Sequence, residues 1–97
     1  MIKMTWMLAG EHADEWTGPD AQEGAAILEA RIGAVIEGSG MTADSVQHWR
    51  ETFLAPVVAD LRTEGQSALS HGESWSKAAG PLLVSASPAP TVAQRDQ

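Results

Sequence analysis

The sequence predicts an all-α or mainly α fold, and three observations carry that expectation. Two apolar stripes recur at helical spacing, Gly38-Ser39-Gly40 separates them, and Gly18-Pro19-Asp20 and Thr42 supply start signals at their heads. The architecture that follows is a helical hairpin or small bundle over residues 1–84. A short N-terminal strand is the competing reading of residues 2–8, and a flexible tail is expected over 85–97.

Residues 1–8 read Met-Ile-Lys-Met-Thr-Trp-Met-Leu, and Ile2, Met4, Trp6 and Leu8 alternate as in a half-buried strand. Met7 breaks the alternation, and Met and Leu are good helix formers, so a helical turn competes. From Ala9 to Trp16 the polar residues Glu11, His12, Asp14 and Glu15 sit among small ones, the composition of a solvated short helix or loop. Pro19 suits a first helical position, and Asp20 and Glu23 complement the helix dipole. Ala21, Ala25, Leu28, Ile32, Val35 and Ile36 then form one stripe, which predicts a helix over 19–37.

Thr42 reads as the N-cap of a second helix over 42–63, whose apolar face runs Val46, Trp49, Phe53, Val57, Leu61 and is widened by Leu54 and Val58. Pro56 lies inside that stripe. A proline there removes a hydrogen bond and collides with the preceding turn, so a kink or restart is expected near 54–56. Beyond Gly65 a short third helix would carry Leu69, Trp75, Ala78 and Ala79, until Gly80-Pro81 stops it. Leu82-Leu83-Val84 reads as a strand or as a segment packed on the bundle. Pairing of 2–8 with 82–84 is the arrangement that would make the fold α+β. The expected core is Leu28, Ile32, Val35, Ile36, Val46, Trp49, Phe53, Val57 and Leu61, and the Ser, Ala and Pro that follow residue 84 have nothing to bury.

Composition narrows the function classes. A chain of 97 residues is one domain, and at this size about 60–65% of the unfolded surface is buried, so assembly with a copy or a partner is a common source of extra stability. With no Cys, disulfides, thiolate metal sites and thiol nucleophiles are excluded. The start of the chain lacks the basic and apolar pattern of a secretory signal, which makes the cytoplasm the expected compartment, with export lacking such a signal as the alternative. No stretch has the run of about 18 apolar residues that a membrane span needs. A net charge of −7, with Lys and Arg scattered, disfavours nucleic acid and anionic lipid as partners.

Catalytic and metal signatures are weak. His12 and Glu15, and again His48 and Glu51, stand three residues apart, which on a helix would supply half a metal site or an acid and base pair. Neither has a second ligand cluster beside it, and His71 sits in a turn-like Ser-His-Gly-Glu. Gly38-Ser39-Gly40 and Gly72-Glu73-Ser74 do not match a nucleophile elbow, and phosphate-loop and dinucleotide fingerprints are missing. No catalytic residue, metal ligand or cofactor is assigned, and the expectation is that the protein is not an enzyme.

Four Trp with one Phe and no Tyr make tryptophan the main large anchor. Trp6, Trp16 and Trp75 flank the two strong helices and are the candidates for interaction anchors, the alternative being that they close the ends of the core. Two apolar stripes exceed what a two-helix hairpin covers by itself. The expected function is therefore a non-catalytic protein–protein interaction module, self-associating or a small subunit of a larger assembly.

Two short segments carry resemblances to known families. Trp16-Thr17-Gly18 is similar to the Trp-x-Gly turn of the helical-hairpin proteins exported by type VII secretion systems, which implies a secreted hairpin with a helix on either side of that turn. The family also has a Tyr in its export signal, and this chain has no Tyr. The segment from Gly40 to Arg50 resembles the turn and recognition helix of transposase-type helix-turn-helix domains, which implies a degenerate regulator, although Arg50 is its one cation against Asp44 and Glu51.

Overall fold

The computed structural model describes residues 1–8 and 12–89. Strand β1 (Ile2–Leu8) and strand β2 (His12–Gly18) precede a helix α1 (Ala21–Glu37). A second helical rod spans 43–70 as α2 (Ala43–Trp49), α3 (Ala55–Asp60) and α4 (Gln66–Ser70), joined by widened turns at Arg50–Leu54 and Leu61–Gly65. Strands β3 (Trp75–Ala79) and β4 (Leu82–Pro88) complete the chain, and all four strands form one antiparallel sheet in the order β2-β1-β4-β3.

The mainly α expectation, with its helical hairpin or bundle, is corrected by this sheet to an α+β fold. The alternation at Ile2, Met4, Trp6 and Leu8 is the strand signal, and all four side chains are buried. Strand β1 pairs with β4 in the register Leu8 with Leu82, Trp6 with Val84 and Met4 with Ala86, so one face of the central pair is continuously apolar. That face covers the stripes of α1 and of the rod in a single core containing Met4, Leu28, Ile32, Val57, Leu61 and Val84. A sheet, rather than a further helix or a second molecule, covers the apolar surplus expected of the helices.

Three local expectations change with it. Residues 12–18 form an edge strand rather than a helix or loop, and an edge accepts the charges of Asp14 and Glu15 because one side of its backbone faces water. The third helix ends at Ser70, and Trp75, Ala78 and Ala79 lie in β3. Ser85–Pro88, expected in the tail, are the last residues of β4, and the Ala89 amide donates to the Met1 carbonyl; residues 90–97 of that tail lie outside the described residues.

Helix α1 begins two residues later than expected, at Ala21 rather than Pro19, with Asp20 as N-cap accepting from the Glu23 amide at 2.9 Å. The restart expected near 54–56 falls at Ala55, where α3 begins with Pro56 in its first turn. The Ala55 amide donates to the Arg50 carbonyl five residues back, a widened turn just ahead of the proline ring. The expected core residues Leu28, Ile32, Ile36, Val57 and Leu61 are buried. Val35, Val46, Trp49 and Phe53 are half-buried, and α2 buries no residue.

Candidate functional site

Alternation along each strand divides the sheet into a face packed on the helices and a face with nothing described upon it. On the open face, register sets side chains into rows that cross all four strands. Met7 is the Cα partner of Ala13 on one side and of Leu83 on the other, and Leu83 partners Ala78. The result is an apolar row, Ala13-Met7-Leu83-Ala78, in which Met7 and Leu83 are 44% and 47% exposed. The next row is Glu15-Thr5-Ser85-Ser76, and beyond it lie Thr17, Lys3 and Ser87.

Small side chains keep this face shallow. Two open grooves of about 480 and 490 Å³ lie on it, the first between Met7, Glu15 and Leu83 and the second between Lys3, Ser76 and Ser87. Its charges are Lys3 and Glu15, whose ammonium and carboxylate lie 3.4 Å apart. The other acidic side chains of the described residues project from the helices, the loops or the opposite side of the sheet.

Of the interaction anchors expected from the sequence, Trp6 and Trp75 are 5% and 8% exposed and point to the helices. The Arg31 guanidinium sits 5.7 Å from the Trp6 ring and bonds Asp14 at 3.1 Å, roofing the indole. Trp75 donates its indole N–H to Asp60 Oδ2 at 2.8 Å, tying β3 to α3. Trp16 is half-buried and lies over Gly18 and Gly24. The large apolar residues that are open are instead Met1, ahead of the first strand, and Met7 and Leu83 on the open face of the sheet. The signal of the latter two was present in the sequence as the break in alternation at Met7 and as the middle residue of Leu82-Leu83-Val84.

The polar pairs do not assemble into a reaction centre. His12 and Glu15 stand on a strand, where a spacing of three puts them on opposite faces. His48 lies 3.4 Å from Thr52 Oγ1, Glu51 accepts from Gln47, and the His71 ring nitrogen Nδ1 is 2.7 Å from the Ser67 carbonyl oxygen. Among the described residues, no group of three or more His, Asp and Glu side chains is placed to hold a metal ion. No helix of the described residues is long and apolar enough to cross a membrane.

No protein-family model, curated protein or solved structure matches the chain. Trp16-Thr17-Gly18 lies in β2 and not between two helices, and its glycine is where the Trp16 ring folds back over the strand. The segment from Gly40 does form a turn, with Gly40 at φ +89°, and a Thr42-capped helix. Its cation Arg50, however, lies across Gly33 of α1 and pairs with Glu37.

Proposed function

We propose that this protein is a non-catalytic protein–protein interaction module, self-associating or part of a larger assembly, whose recognition surface is the open face of its sheet. The observation that carries the reading is the apolar row across four strands, with Met7 and Leu83 side by side and each nearly half exposed. A pair of exposed large side chains with Ala on the outer strands and a row of hydroxyls beside it is a flat surface that another protein surface can cover. The net charge of −7 favours protein over nucleic acid or anionic membrane as the partner. The cytoplasm is the compartment proposed.

A photo-crosslinking residue placed at Leu83, compared with one at the exposed Ala34 of α1, tests the reading in the cells that make the protein. Covalent protein adducts are expected from position 83 and not from position 34. Adducts from neither position would remove the interaction reading.

A further inference from the structure

We propose that the occupant of the open face is a second copy of this chain, related by a two-fold axis that runs parallel to the strands between β1 and β4. The inference rests on the interaction reading above and adds the partner and the geometry. The sheet has two strands on either side of that line, so the rotation lays β1 over the partner's β4 and β2 over its β3. The cross-strand register then fixes what faces what. Met7 meets the partner's Leu83, and Ala13 meets the partner's Ala78. Thr5 meets the partner's Ser85, Lys3 the partner's Ser87, and Glu15 the partner's Ser76.

Two features favour a copy over an unlike protein. The face is self-complementary under this operation, because the apolar row falls on itself and each charge falls on a hydroxyl, with no like charges opposed. The chain carries −7 while the open face holds one cation and one anion already paired, so two copies that meet by this face oppose no unpaired acidic side chain. Aligned sheet-on-sheet packing, with the small crossing angle that twist imposes, suits a face of Ala, Ser and Thr around one larger pair. Seven residues by four strands span roughly 23 by 19 Å, below the standard interface of about 800 Å² per partner. A dissociation constant in the micromolar range is the consequence.

Light scattering on the purified chain, from about 1 to 500 μM, is expected to show a mass rising from 10.3 kDa towards twice that value. Met7→Asp and Leu83→Lys should each weaken association about a hundredfold or more, because each buries a charge opposite an apolar side chain. Their far-UV circular dichroism should be unchanged, since both positions are open in the single chain. Mixing the two variants should restore a one-to-one dimer, because residue 7 of one copy then faces residue 83 of the other with opposite charge. A wild-type chain that stays single at 500 μM overturns the proposal, as do variants that associate like wild type. A mixture that stays single overturns the axis. If the chain stays single while position 83 crosslinks to a different protein in cells, self-association falls and the interaction reading stands. Without adducts from position 83, both fall.

Discussion

Trp16 lies flat across two glycines, and the space it occupies is the space their side chains would need. A Cβ on Gly18 would fall within the indole, and one on Gly24 would come 3.0 Å from ring atom Cζ3. Gly18→Ala is therefore expected to lever the ring off α1 and to cost about 1–3 kcal/mol, measured as a lower urea midpoint with a shift in tryptophan emission; an unchanged midpoint would mean that the ring has an alternative seat. Asp60 is the second such position. It accepts the indole N–H of the buried Trp75, so Asp60→Ala leaves that donor without its partner and should cost about 1–3 kcal/mol, read from the same titration. The ion pairs of Arg31 with Asp14 and of Lys3 with Glu15 are largely exposed, and each contributes well under that.

At the scale of elements, the β3–β4 hairpin depends on one backbone angle. Ala79 pairs with Leu82, so Gly80 and Pro81 form a two-residue loop. Gly80 has φ +56° and Pro81 is confined to negative φ, the combination of a type II′ turn. A side chain at residue 80 would also enter the space of the Phe53 ring. Gly80→Ala is thus expected to destabilise by about 1–3 kcal/mol and to lower amide protection in β3 and β4 first; uniform loss of protection would show that the hairpin does not open separately. Long helices were legible in the sequence because their stripes repeat for several turns, as from Leu28 to Ile36. The central strand β1 was legible from its four alternating side chains. Edge strands were not, because His12–Gly18 carries charges on both faces and Trp75–Ala79 has one large apolar residue. Nor was the open face, since a row across strands is a property of register and joins residues as distant as 7 and 83.

For the whole molecule, one core serves both layers, so damage to it is shared. Leu28 is fully buried beneath the sheet, and Leu28→Ala should cost about 2–5 kcal/mol, a large part of the roughly 5–10 kcal/mol that a domain of this size holds. Calorimetry is expected to show a loss of more than 10 °C in Tm; a smaller loss would mean that the layers close over the cavity. The uneven charge gives a second expectation. Raising NaCl from about 0.1 to 1 M shortens the screening length from about 10 to 3 Å and relieves repulsion among the acidic side chains of the helices, so Tm should rise. A Tm independent of salt would show those charges to be too dispersed to matter. The pairing of β1 with β4, Ile2 beside Pro88, has a consequence for biogenesis. A ribosome delivers β1 before β4, so the hydrogen bonds along the middle of the sheet must wait until β4 has emerged, and until then β1 has only β2 to pair with. Folding is accordingly slower than for a helical domain of this size, because the middle of the sheet joins segments far apart in the chain.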